Sequence, residues 1–237
     1  TGVQTCALPI SWYRGYDKAN LDSPVKNPRE GTTPDSPLRD RIEGTFRTAF
    51  EQGRSFDSIT AARDYARVTI GETIKPGTAE AKIMDEAIES AVIYTARQIA
   101  VRNEGKPEEI YRRLVDLYNA QPKLSVRSST SIEQQAYSTP VPLAYLASHL
   151  AGINQNTTVY EPTAGNGALL IDARPTYVTA NELNQDRAAA LREFLRGATI
   201  TEEDAAEFKP QGSFDVVIGN PPFGAVRDVA VLSALVG

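Results

Sequence analysis

A chain of 237 residues has room for one or two domains with real cores. Its 41% apolar and 23% charged residues are ordinary for a globular protein, and no apolar run approaches the ~20 residues of a membrane span. The net charge of −5 has its acidic excess from Val126 onward, the wrong sign for a self-sufficient nucleic-acid binder, so any basic clamp for DNA lies elsewhere.

The chain begins TGVQTCALPI. Thr1 to Ile10 resemble the translation of a sequencing-library adapter and are set aside as an artefact. That removes Cys6, the only cysteine. Without it there is no disulfide, no thiolate metal site and no cysteine nucleophile. Nothing reads as a signal peptide, so a cytoplasmic setting is the default expectation. Residues 11–36 are rich in Pro, Gly and charge and read as a flexible linker.

A helix is predicted to start at Ser36-Pro37, with serine as the cap and proline in the first helical position. Leu38, Ile42, Phe46 and Phe50 form its apolar stripe, and Gly53 ends it. Ser58 to Thr69 is a second helical pattern, closed by Gly71. Pro76-Gly77-Thr78 precedes a longer helix to about Arg102, with Ile83, Ala87, Ile88, Ala91, Ile99 and others inward. Pro107 opens a fourth, with Ile110, Leu114, Leu117 and Tyr118 on one face. Such stripes are read as core packing, giving a helical domain over residues 37–124.

From residue 125 the character changes. VPLAYLASHLAGI reads as a short amphipathic helix. Then TTVYEP, TYVTANEL, GATITEED and FDVVIGNPPF read as strands, alternating with the helical stretches GNGALLIDA and NQDRAAALREFLR. Alternation of this kind predicts an α/β fold with parallel strands and right-handed crossovers. VVIGNPPFG should be a buried strand ending in a rigid loop, because two prolines fix φ and withhold backbone donors. Loops at the carboxyl ends of such strands are where α/β proteins carry chemistry.

Glu161-Pro162-Thr163-Ala164-Gly165-Asn166-Gly167 follows the first strand. Its glycines permit a tight turn and close approach of a ligand. It lacks the lysine of a phosphate loop, and a carboxylate at the strand end suits a cationic ligand. Glu182 ends the second strand about 20 residues on, where an acid accepts both hydroxyls of a ribose. Asp204 follows the third strand, placed to accept from an adenine amino group, with Glu202 and Glu203 beside it. His149, the single histidine, is read as a packing or surface residue.

These segments, with Asn220-Pro221-Pro222-Phe223 last, resemble the class I S-adenosylmethionine-dependent methyltransferases, and among them the DNA adenine-N6 enzymes. YSTPVPLAYLASHL is similar to the family's additional cofactor motif. Its position before the glycine loop gives the gamma-class order. The resemblance spans residues 131–224. The helical region with QQAYSTP further resembles the methyltransferase part of large phage or plasmid proteins that carry a strawberry-notch-like helicase region.

The resemblance implies a partial Rossmann-like methyltransferase sheet and S-adenosyl-L-methionine as cofactor. Thr139, Pro140, Glu161, Pro162, Ala164, Gly165, Gly167, Glu182, Asp204 and Asn220 would bind it, with no metal. Asn220, Pro221, Pro222 and Phe223 would be catalytic. The Asn220 side-chain oxygen and the Pro221 carbonyl would accept the two N–H bonds of the target amine, and Phe223 would stack on a flipped base. DNA would be held by a recognition region outside this chain. The resemblance also implies a sheet that continues past Gly237, so the chain is expected to be a fragment, inactive by itself. Cytosine-C5 chemistry needs a cysteine and is excluded. Two readings stay open. Protein-glutamine and RNA guanine-N2 methyltransferases share the Asn-Pro-Pro-aromatic loop, and a non-catalytic scaffold would keep the fold alone.

Overall fold

The computed structural model describes residues 37–122 and 139–220. The first helix, α1, is Leu38–Glu51, with Pro37 as its cap residue at φ −47 and ψ 141 and no side-chain cap. The expected serine cap, Ser36, lies outside the described residues, and the helix starts one residue later than its proline suggested. Ile42, Phe46 and Phe50 of the predicted stripe are buried. α2 is Ile59–Ile70; Ser58 accepts a hydrogen bond from the Ala61 amide and Gly71, at φ 77, closes it.

α3 spans Ala79–Arg102, capped by Thr78. Ala87, Ile88 and Ala91 are buried, Ile83 and Ile99 only half-buried, and from Ala91 to Ala100 the helix is buried nearly all round. The reason is its central position: α1, then α4 (Pro107–Ala120) and α5 (Val141–Leu150), pack on different sides of it. On α4, Ile110, Leu114 and Leu117 face inward as expected, but Tyr118 is 42% exposed.

The four strands are β1 (Val159–Glu161), β2 (Val178–Asn181), β3 (Thr199–Thr201) and β4 (Val216–Val217), and α6 (Gln185–Phe194) joins β2 to β3. All pairings are parallel, in the order β3-β2-β1-β4. The chain moves outward from β1 to β3, then returns to the other side of β1. The sheet therefore reverses direction between β1 and β4, and at their carboxyl ends such a fold opens a crevice. β1 is buried throughout.

Two local expectations change. GNGALLIDA forms only a 3₁₀ turn at Ala168–Leu170. The Arg97 guanidinium of α3 donates to the carbonyls of Leu170, Ile171 and Ala173 at 3.4, 3.0 and 3.0 Å, satisfying groups that a longer helix would have used. Arg174 precedes Pro175, which also disfavours helix there. β4 is not a buried strand. Val217 is 38% exposed, and β4 pairs only with β1, at the sheet edge among the described residues.

One apolar core unites Phe46, Ile88 and Leu114 with Val141 and Tyr145 of α5 and Leu169 and Ile171 after β1. A second, containing Val159, Leu170, Val178, Leu191 and Leu195, lies against the sheet. The helical segment and the sheet are thus tied together by shared packing and by Arg97.

Candidate active site

The crevice is built from the carboxyl ends of β1, β2 and β4. β1 delivers Glu161, which is 2% exposed, and its Oε2 is buried without a hydrogen-bond partner. Burial, and next the neighbouring Glu182 carboxylate, push the Glu161 carboxyl well above the usual glutamate range. A buried carboxyl oxygen with no donor among the described residues is costly to ionise, and a cation or donor brought to it would relieve that cost.

β2 delivers Asn181 and Glu182. Glu182 Oε2 accepts from the Gly165 amide at 2.8 Å, and Oε1 accepts from the Asn184 amide at 2.9 Å. One carboxylate thus fixes the glycine turn to the start of α6. Each of its oxygens retains a second lone-pair direction. Gly165 and Gly167 have φ 55 and 80. At Gly167 a Cβ would lie 2.8 Å from Leu191 Cδ2 and 3.1 Å from Phe194, so α6 approaches there only because the side chain is absent.

Asn181 was not among the residues singled out in the sequence. It is 1% exposed. Its Nδ2 donates to the carbonyls of Pro162 and Glu203 at 3.1 and 2.8 Å, and its Oδ1 accepts from Thr201 Oγ1 at 2.7 Å and the Glu203 amide at 2.9 Å. The Ala164 amide donates to its backbone carbonyl. Asn181 thereby locks together the loops after β1 and β3. The one hint in the sequence is an amide residue closing the strand directly before Glu182.

β4 leads to Asn220, whose Nδ2 donates to Thr139 Oγ1 at 3.0 Å. Pro140, beside Thr139, is the cap residue of α5. The two outermost predicted motifs thus meet. Pro221, Pro222 and Phe223 lie outside the described residues. Asp204 is exposed and caps its own turn, its Oδ1 accepting from the Ala206 amide at 2.9 Å. Glu202 pairs with Arg192 at 2.6 Å. His149 is exposed and stacks on Tyr145, as a surface residue would.

A cavity of about 410 Å³ adjoins this region, lined by Thr139, Pro140 and Asn166 together with Glu89 of α3 and Tyr118 of α4. Asn166 Nδ2 donates to Glu89 Oε2 at 2.7 Å. Glu89 and Tyr118 carry no motif and were read as parts of packing helices. Among the described residues no group of three or more His, Cys, Asp or Glu is placed to hold a metal, and no helix is long and apolar enough to cross a membrane.

Comparison of the chain with protein-family models, with curated proteins and with solved structures returns no match.

Proposed function

We propose that this chain builds the cofactor site of an S-adenosylmethionine-dependent methyltransferase that transfers the methyl group directly to the exocyclic N6 amine of adenine in DNA. The observation that carries the reading is the Thr139–Asn220 hydrogen bond, which joins the additional cofactor motif to the Asn-Pro-Pro-Phe motif at the switch point of a parallel sheet. Two motifs far apart in sequence, picked out for the same chemistry, share one hydrogen bond.

The described residues fit the cofactor. Glu161 holds a partnerless buried oxygen at the end of β1, suited to a cationic group. Glu182 is clamped by two backbone amides with its remaining lone pairs available for a ribose diol. When bound, the cofactor supplies a methyl group already activated on a sulfonium, so no covalent enzyme intermediate is needed.

The protein's part is positional. With Nδ2 committed to Thr139, Asn220 presents Oδ1 as an acceptor. An amine N–H donated to Oδ1 turns the nitrogen lone pair out of conjugation with the ring and toward the methyl group. Fixing that acceptor in advance lowers the barrier by orientation and by a preformed dipole. Asp204 caps its own turn through Oδ1.

The test uses the polypeptide from the whole reading frame, incubated with methyl-labelled S-adenosylmethionine and duplex DNA, RNA or a glutamine-bearing protein. N6-methyladenine from DNA is the expected product. Label in guanine or glutamine would move the substrate while keeping the loop chemistry. Cofactor binding without transfer to any of them would favour a scaffold.

A further inference from the structure

The glycine turn after β1 is gripped from outside the sheet. Asn166, between Gly165 and Gly167, donates from Nδ2 to Glu89 Oε2 of α3 at 2.7 Å. Further along α3, about 12 Å up its axis, Arg97 Nη1 donates to the carbonyls of Leu170, Ile171 and Ala173. One helix thus holds the stretch from Asn166 to Ala173 at both ends. That stretch forms only the 3₁₀ turn Ala168–Leu170, so the stiffness a longer helix would give it comes from α3 instead.

The turn depends on such support. Gly165 and Gly167 have φ 55 and 80, and a glycine backbone has other shapes open to it. Two restraints come from the site itself. Glu182 accepts from the Gly165 amide at 2.8 Å, and α6 closes on Gly167, where a Cβ would meet Leu191. The third comes from Glu89 on a helix that carries none of the motifs.

Resting on the methyltransferase reading, we infer that Asn166 and Glu89 are a positioning pair: through them α3 holds the glycine turn, before the cofactor arrives, in the shape that receives it. Their part is to orient backbone, not to touch the ligand. The helical segment then contributes to affinity through the readiness of the turn. A turn that samples other shapes binds with its affinity cut by the fraction of time spent in the right one.

The experiment has two readouts on the whole chain, each at a temperature where every variant is folded. One is amide hydrogen exchange without ligand; the other is calorimetric titration with S-adenosylmethionine. Asn166→Ala removes the donor. It should speed exchange of the Gly165 and Gly167 amides by about threefold to tenfold, the range for one hydrogen bond, and leave the amides of β2 unchanged. It should weaken the cofactor by about threefold or more. Asn166→Ala, Glu89→Ala and the double variant form a cycle that reads the pair alone, whatever else either side chain touches. The double variant should bind no more weakly than Glu89→Ala. Ala62→Gly, in α2, loosens the helical segment away from the turn and should change neither readout. Strictly additive losses overturn the pair. Faster exchange with unchanged affinity makes the contact structural only, and weaker binding without faster exchange means that Asn166 meets the ligand itself; either overturns a positioning role. Equal weakening by Ala62→Gly would assign the effect to general stability. A parent chain that binds no S-adenosylmethionine sinks the methyltransferase reading and the pair's role for that cofactor, while exchange still shows whether α3 holds the turn.

Discussion

Asn220 and Thr139, 81 residues apart in the chain, are joined by a 3.0 Å hydrogen bond from Asn220 Nδ2 to Thr139 Oγ1. The bond decides which way the amide faces. An amide that donates on one side must offer its carbonyl oxygen on the other, and that oxygen is the atom the proposed chemistry needs.

The first prediction follows from this. In the polypeptide from the whole reading frame, Asn220→Ala should lower kcat by about 10²-fold or more with little change in cofactor affinity, as removal of one preorganised polar group does. Thr139→Val removes the orienting partner and should cost about tenfold, since Asn220 then samples the wrong amide orientation. The double variant should be no slower than Asn220→Ala alone. A double-mutant cycle in single-turnover rates measures this, and strictly additive losses would show that Thr139 does not act through Asn220.

The second concerns Glu161. Its folded-state carboxyl titrates above the ordinary glutamate range because it is buried and faces Glu182. The sign follows by linkage. A pKa higher in the fold than in the unfolded chain gives stability that is complete below the unfolded value. That stability is lost as pH rises toward the folded value. Glu161→Gln removes the titration, so the ligand-free variant should be the more stable at neutral pH, by roughly 2–4 °C in Tm or more. Its Tm should also vary less with pH above the usual glutamate range. The same variant should bind S-adenosylmethionine more weakly. Thermal melts from pH 5 to 8 test the first part; a variant less stable than the parent at neutral pH would mean that Glu161 has a partner in solution.

The third concerns Asn181, which holds the loops after β1 and β3 together through four side-chain hydrogen bonds. Asn181→Leu fills similar space but strands the Pro162 and Glu203 carbonyls and the Glu203 amide. The buried Pro162 carbonyl costs about 1–3 kcal/mol when stranded, and the exposed Glu203 groups less, so a loss of at least ~1 kcal/mol is expected. Urea unfolding measures it. Asn181→Asp should cost at least as much, because it sets a buried carboxylate oxygen against the Pro162 and Glu203 carbonyls that Nδ2 had served.

Much of the architecture was legible from local chemistry. Ser58 and Thr78 cap helices where their hydroxyls precede apolar stripes, Gly71 closes α2, and the strand–helix alternation yields parallel pairing. Glu161, Glu182 and Asn220 could be singled out because each sits at the end of a strand pattern, while Thr139 came with the family resemblance alone. What escaped notice depends on distant neighbours. Tyr118 repeats at core spacing, yet no element covers it among the described residues, and it faces a cavity instead. The strand at Val216–Val217 is apolar enough to be central, but its exposure depends on what pairs beside it. The 3₁₀ turn after Gly167 was hidden because the side chain that satisfies its carbonyls, Arg97, comes from α3.

That arginine supports the last prediction. Arg97 is 9% exposed, and its Nη1 donates to three carbonyls at the end of the 3₁₀ turn while its guanidinium lies 5.7 Å from the Phe194 ring centroid. It is the polar rivet between the helical segment and the sheet. Arg97→Met keeps the apolar stem but leaves three carbonyls competing for no donor, at a cost of about 2–4 kcal/mol. Arg97→Lys retains the charge, but its shorter stem stops its ammonium short of the point from which Nη1 meets all three oxygens. It should recover at most half of the loss. The measurement is urea unfolding followed by two probes, helix ellipticity and the exchange of β1 amides. If Arg97 couples the two parts, the parent unfolds in one coincident transition and Arg97→Met splits it into two. If the transitions of Arg97→Met still coincide, the shared apolar core alone carries the coupling, and the rivet contributes stability without cooperativity.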